Sequence, residues 1–145
     1  MKFNSKTRYG LRTMLELALH AGSEEGVFQK DISVNQNVSV KYLDHIIASL
    51  KAAGLITNVG GKKSGYQLGR AAEDITIYDI YMAFEDELAI IDCLVTDSHC
   101  PGKKHCVMKD YWCELNETIR TSMKSMNLME LSRRHIETNK IDLQY

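Results

Sequence analysis

No apolar run in the sequence approaches the ~20 residues that a membrane-spanning helix needs; the densest patch, Leu88–Ile91, is four residues long. The opening Met1-Lys2-Phe3-Asn4 has no apolar core of the kind a secretory signal carries. Both absences argue against membrane and secreted classes, and the expectation is a cytoplasmic protein that does not engage a membrane. Proline occurs once, at Pro101, and there is no internal repeat or low-complexity segment. With 44% hydrophobic and 26% charged residues, wholesale disorder is set aside too. What remains, at 145 residues, is one ordinary domain or a compact domain with one appended element.

The net charge of −1 conceals a polarity. Residues 1–70 hold ten Lys or Arg against five Asp or Glu, while residues 71–145 hold eight against fourteen. A first half at +5 and a second at −6 suggest that the first half faces a polyanion. All four cysteines, Cys93, Cys100, Cys106 and Cys113, fall within 21 residues. In a reducing compartment such clustering points to metal or redox chemistry, not to a structural disulfide framework.

Ser5 followed by Lys6-Thr7-Arg8 reads as a helix cap, and Tyr9, Leu11, Leu15, Ala18 and Leu19 continue at near-helical spacing until Ala21-Gly22. Ser23–Gly26 reads as a loop, and a short helix fits about 29–36. Asn37-Val38-Ser39 supplies a turn and a cap. Beyond it Leu43, Ile46, Ile47, Leu50 and Ala53 recur three or four apart, predicting a helix over 40–53 that Gly54 ends. Two strand-like pieces, Leu55–Val59 and Tyr66–Leu68, flank the glycine-rich basic tip Gly60-Gly61-Lys62-Lys63-Ser64-Gly65. This order predicts a winged helix-turn-helix: a mainly α fold with a small β-hairpin wing.

Thr76-Ile77-Tyr78-Asp79 resembles a capping box opening a helix to about Glu85. An irregular segment follows from Asp86 to His105. Met108, Trp112, Leu115, Ile119, Met123 and Met126 then form a seam suited to pairing with another helix. If helical, this stretch is ~28 Å long and reads as a dimerisation helix. Leu128, Met129 and Leu131 are expected to form one further turn beside it. The resulting division is a DNA-binding winged helix-turn-helix over 1–72, a connecting helix and cysteine-bearing loop over 73–106, and a dimerisation helix with its tail over 107–145.

The second helix of such a unit enters the major groove with its N-terminal residues nearest the bases. Here those are Ser39, Lys41, Tyr42 and His45, on the face opposite Leu43, Ile46 and Ile47. Lys62 and Lys63 can reach an adjacent groove or backbone, and Lys6, Arg8 and Arg12 can add phosphate contacts. A dimer of this unit requires two half-sites, hence a near-palindromic duplex operator.

Cys93-x6-Cys100-x5-Cys106 places three soft ligands on a loop. Thiolates hold iron–sulfur clusters or zinc, but the spacing is wider than the paired C-x2-C of zinc fingers. A fourth ligand is open among Cys113, His99 and His105. So is the alternative of reduced thiols or a reversible Cys100–Cys106 disulfide. A cysteine enzyme is disfavoured, since His99 and His105 have no evident orienting partner, and no catalytic residue is assigned.

Several stretches carry a wider likeness: Met1-Lys2-Phe3, Lys6-x-Arg8-Tyr9-Gly10-Leu11, Val40–Ile46, Leu50-x-x-Ala53-Gly54-Leu55-Ile56, Gly65-Tyr66-x-Leu68 and Cys100-x5-Cys106-x5-Trp112. In these the chain, from Met1 to about Ser132, resembles the bacterial winged-helix repressors that include the iron–sulfur cluster assembly regulator, the nitric-oxide-sensing repressor and the cysteine-metabolism repressor. The resemblance implies a homodimer crossed by the long C-terminal helix, with operator binding controlled by a [2Fe-2S] or [4Fe-4S] cluster or by a partner such as a metabolic enzyme. By position, Cys93, Cys100 and Cys106 match the cluster cysteines. Lys109 stands where the assembly regulators carry a ligating histidine, Arg8 where the nitric-oxide sensor uses a partner carboxylate, and Gly60 where relatives commonly have a wing arginine. The function expected is thus a dimeric transcription regulator whose operator binding follows an iron–sulfur cluster or cysteine redox state. Its rival is a metal-free regulator controlled by thiol oxidation or a docked enzyme.

Overall fold

The computed structural model describes residues 2–60, 64–95, 100 and 102–142. In chain order these form α1 (Ser5–Leu19), α2 (Gln29–Gln36), α3 (Val40–Ala52), β1 (Ile56–Asn58), β2 (Tyr66–Leu68), α4 (Ile77–Met82), α5 (Met108–Ser125) and α6 (Leu128–Asp142). Single 3-10 turns stand at Ala72–Asp74, Asp92–Leu94 and Lys103–His105. The chain is mainly α with a two-stranded antiparallel sheet, as its periodicity predicts. Among the described residues no helix is long and apolar enough to cross a membrane.

The cap of α1 lies one residue earlier than Ser5. Asn4 takes the extended conformation and its Oδ1 accepts from the Thr7 amide at 2.7 Å, leaving the Ser5 hydroxyl to accept from Arg8. The same end is tied across the molecule, because Glu85 Oε1 accepts from the Asn4 amide and from Thr7 Oγ1. Between α2 and α3 the chain turns at Asn37, which adopts the left-handed conformation (φ 50°, ψ 51°) that asparagine tolerates better than most residues. Ser39 then caps α3, its Oγ accepting from the Tyr42 amide at 3.1 Å. The apolar stripe of α3 is buried as its spacing requires: Leu43, Ile46 and Leu50 are fully enclosed and Ile47 nearly so.

In the hairpin Ile56 faces Leu68, Thr57 faces Gln67 and Asn58 faces Tyr66. The loop after α1 joins it from the other side. Val27 and Tyr66 exchange backbone hydrogen bonds of 2.9 and 2.8 Å, and the Gly65 amide donates to Glu25 at 2.8 Å. The Thr76–Asp79 capping box forms as expected, but α4 stops at Met82, three residues before Glu85.

Helix α5 covers almost the whole expected seam, but its two ends differ. Met123 is buried with Tyr81 and Leu88, and Ile119 packs against them, while Met108 at the other end is exposed. Asn116 is buried in α5, donating to the Leu88 carbonyl at 2.9 Å and accepting from the Ile90 amide at 3.1 Å. The chain beyond α5 makes more than one further turn. It continues as the fifteen-residue α6, packed against α1 and the Ala72–Asp74 turn. Leu128 is fully enclosed in the same core as Met14, Leu43, Ile46, Ile75 and Ile80. Its amide donates to the Ile75 carbonyl at 2.9 Å, and the Ile77 amide donates back to Met126.

The outer face of α6 is held by charge. Glu130 accepts from Arg133 and Arg134, and Arg133 also reaches Glu137. These bonds, Arg133 first and Arg134 second, hold the Glu130 carboxyl down from 4.5 to about 2. A lowered folded-state value means that the stabilisation is complete above pH 4.5 and is lost as pH falls toward 2. Thermal melts of the natural chain and Glu130→Gln should therefore differ at neutral pH, and the difference should vanish across this acid window. A gap independent of pH would refute the assignment.

Candidate nucleic-acid interface and cysteine segment

Helix α3 divides cleanly. Its buried stripe fixes the helix against the core, so the opposite face must meet solvent, and Ser39, Lys41 and His45 are all exposed there. Tyr42 is half-buried and packs against the core, and its ring meets that of Tyr9 edge to face with centroids 5.8 Å apart. Arg12 lies over the Tyr9 ring at 5.4 Å, which links a cation of α1 to the aromatic pair bracing α3. Tyr42 is therefore largely a packing residue with one edge toward solvent. Lys6 and Arg8 are exposed in the first turns of α1. Lys62 and Lys63 lie outside the described residues. Nearby, Lys51 sits 4.9 Å from the centroid of the Tyr66 ring, a cation held against the hairpin.

A residue that periodicity did not single out, Gln29, fastens α2 to α3. Its Nε2 donates to Asp44 Oδ1 at 2.5 Å and to the Val40 carbonyl at 3.2 Å. A polar side chain opening a short helix gives no apolar signal, so only the folded arrangement reveals this role. The buried Glu16, which receives the side-chain amides of Asn35 and Gln36 at 2.6 and 2.8 Å, gives no such signal either. The Gln29 bonds thus tie α2 to α3, and the Glu16 bonds tie the end of α2 to α1.

The four thiols are free. Cys93 is half-buried in the Asp92–Leu94 turn, whereas Cys100, Cys106 and Cys113 are exposed. Cys106 immediately follows the Lys103–His105 turn and precedes α5, so the helix begins after it; Cys113 lies in the second turn of α5. His105 and Lys109 are exposed, and His99 lies outside the described residues. Chemically the set of soft thiol donors suits an iron–sulfur centre. Geometrically, no three His, Cys, Asp or Glu side chains among the described residues come together as a metal-binding group.

A helix-turn-helix with one exposed polar face, followed by an antiparallel hairpin, defines a winged-helix DNA-binding regulator. Residues 3–134 match the Rrf2 family, described as iron-dependent transcriptional regulators. The chain belongs to the Rrf2 family. It is 38% identical over 133 residues to protein rrf2 of Nitratidesulfovibrio vulgaris, covering 92% of this chain and 88% of that one. Among solved structures it resembles CymR, the global cysteine regulator of B. subtilis, with a TM-score of 0.75, 29% identity, and coverage of 92% of this chain and 98% of that one. It likewise resembles T. potens IscR, with a TM-score of 0.75, 31% identity, and coverage of 95% and 90%. The protein is a transcriptional regulator and not an enzyme.

Proposed function

We propose that the protein acts in the cytoplasm as a homodimer on a near-palindromic DNA operator, reading it through α3 and the hairpin. Operator affinity in this reading follows the state of Cys93, Cys100 and Cys106. The observation that carries the DNA reading is the division of α3: four apolar residues are sealed in the core, and Ser39, Lys41 and His45 stand opposite them in solvent. Helix packing thus presents the N-terminal part of α3 as a groove-sized polar rod. Lys62 and Lys63, which fall between β1 and β2 in the sequence, supply backbone contacts together with Lys6 and Arg8 on α1. Dimerisation is supported by the open end of the α5 seam, where Val107, Met108 and Tyr111 are exposed at 86%, 45% and 52%. Fluorescence anisotropy with promoter DNA from the same genome at low ionic strength tests the reading. Saturable binding by a dimer is expected, and a monomer indifferent to DNA in every cysteine state would end it.

Cys93, Cys100 and Cys106 are the residues that would hold a [2Fe-2S] or [4Fe-4S] cluster, and such a cluster supplies a redox-sensitive centre. The family's description as iron-dependent supports this arm. Protein purified without oxygen is expected to be brown and to contain iron and acid-labile sulfide, with Cys106→Ala losing most of both. A second reading, regulation by thiol oxidation or by a docked metabolic enzyme, is favoured by the exposure of Cys100 and Cys106 as free thiols. Colourless anaerobic protein whose DNA affinity responds to peroxide or to an enzyme partner would establish that reading instead.

A further inference from the structure

A cleft of about 440 Å³ lies behind the helix-turn-helix, where α1, the end of α2 and the distal part of α6 meet. Arg12, Glu16, His20, Asn35, Gln36 and His135 supply its polar groups, and Leu15 and Leu19 its apolar wall. The volume is of the order found for small-molecule sites, roughly 300–1,000 Å³.

One end of the cleft is rich in acceptors. Glu16 is 6% exposed and no ion pair among the described residues reaches it. Its two carboxylate oxygens receive Asn35 Nδ2 and Gln36 Nε2. Because only an amide nitrogen can donate to a carboxylate, the Glu16 bond fixes the orientation of the Gln36 amide. Gln36 Oε1 is thereby shielded from solvent with no partner. A buried carboxylate without a cation is costly unless a cationic N–H donor meets it from the cleft; Gln36 Oε1, with no open surface, is out of reach of such a group. A primary ammonium has three such donors. The other groups of the cleft favour the opposite charge. Arg12 is exposed and offers a planar fork of donors suited to a carboxylate. His20 already uses Nδ1 as donor to the Glu16 carbonyl at 2.9 Å, and His135 Nε2 accepts from Asn139, leaving each ring one free nitrogen.

We propose that this cleft is an effector site for a small zwitterion of the α-amino-acid class, its ammonium on Glu16 and its carboxylate on Arg12. The effector role rests on the DNA-binding reading above; the ligand site does not. Asn35 and Gln36 are the last side chains of α2 before the Asn37 turn into α3, and Glu16 anchors both to α1. An ammonium that competes for Glu16 alters that anchor and with it the seating of α3, while His135 carries the response into α6.

The test is a titration of the full isotope-labelled chain with each common L-amino acid, reading the side-chain amide resonances of Asn35 and Gln36 up to about 10 mM. Methylammonium and acetate serve as single-charge probes. At least one amino acid should give saturable shifts, with each single-charge probe about tenfold weaker or worse. Arg12→Gln should weaken binding about tenfold; it leaves the Glu16 anchors to Asn35 and Gln36 in place. No saturable shift from any amino acid, or binding indifferent to the Arg12 substitution, overturns the site. In a parallel arm, the bound amino acid should change promoter affinity by about threefold or more. No change, or no DNA binding with or without ligand, overturns the effector role, while the resonance shifts still decide the cleft itself.

Discussion

Replacing Lys41 and His45 together by alanine should lower operator affinity by at least about a hundredfold and leave the fold intact. A side chain reading a base edge is worth about 1–3 kcal/mol per site, and in the proposed dimer the loss applies at both half-sites. Stability should be little affected, because both residues are exposed and the core side of α3 is carried by Leu43, Ile46, Ile47 and Leu50. Replacing Lys62 and Lys63 should behave differently. If they meet phosphates, binding weakens on every duplex alike, and the slope of log affinity against log salt falls by about 0.9 for each phosphate left without its lysine. Anisotropy titrations at several salt concentrations on promoter and scrambled DNA separate the two behaviours. If Lys41→Ala/His45→Ala bound its promoter as tightly as the natural chain, α3 would lose its assigned role.

The second large effect concerns the base of the hairpin. A Cβ at residue 65 would lie 2.6 Å from the Val27 nitrogen, 2.7 Å from the Val27 carbonyl carbon and 2.8 Å from the Glu25 oxygen. All three are backbone atoms, so relief requires moving the chain and sacrifices the bonds that Gly65 and Tyr66 make to Glu25 and Val27 in the loop after α1. Gly65→Ala should therefore cost about 2–4 kcal/mol, from broken hydrogen bonds and a forced separation of strands. In a chain this size that lowers the melting temperature by roughly 5–15 °C. Gly60 is the control: nothing lies within 4 Å of a Cβ there, so Gly60→Ala should stay within about 0.5 kcal/mol. Equal melting temperatures for the two variants would contradict the packing described at residue 65.

Where an element buries a periodic apolar face, the sequence makes it legible. The stripe of α3 and the Thr76–Asp79 box follow from spacing alone; the bounds of α2 coincide with the expected ones, although of its expected apolar pair Ile32 is buried and Val34 is exposed. Elements held by polar bonds are harder to read. After Leu131 the apolar pattern of α6 thins out, and the helix persists through Glu130, Arg133, Arg134 and Glu137. Ser5 and Asn4 are both competent caps, and what favours Asn4 is a carboxylate 81 residues away. Local pattern holds no trace of such a partner. The candidate DNA face is legible because it is the complement of a core stripe. The Gln29–Asp44 and Glu16 bonds that orient it are not, since isolated polar residues resemble solvated surface until a fold brings their partners to them.

Leu128 closes a core otherwise made by residues far earlier in the chain, with its amide on Ile75. During synthesis, the helix-turn-helix emerges from the ribosome with a hole where that leucine belongs. Losing a comparable buried leucine costs a finished protein about 2–5 kcal/mol. The helix-turn-helix therefore reaches its full stability only once the residues around Leu128 have been added, which makes its rigidity a property of the whole chain.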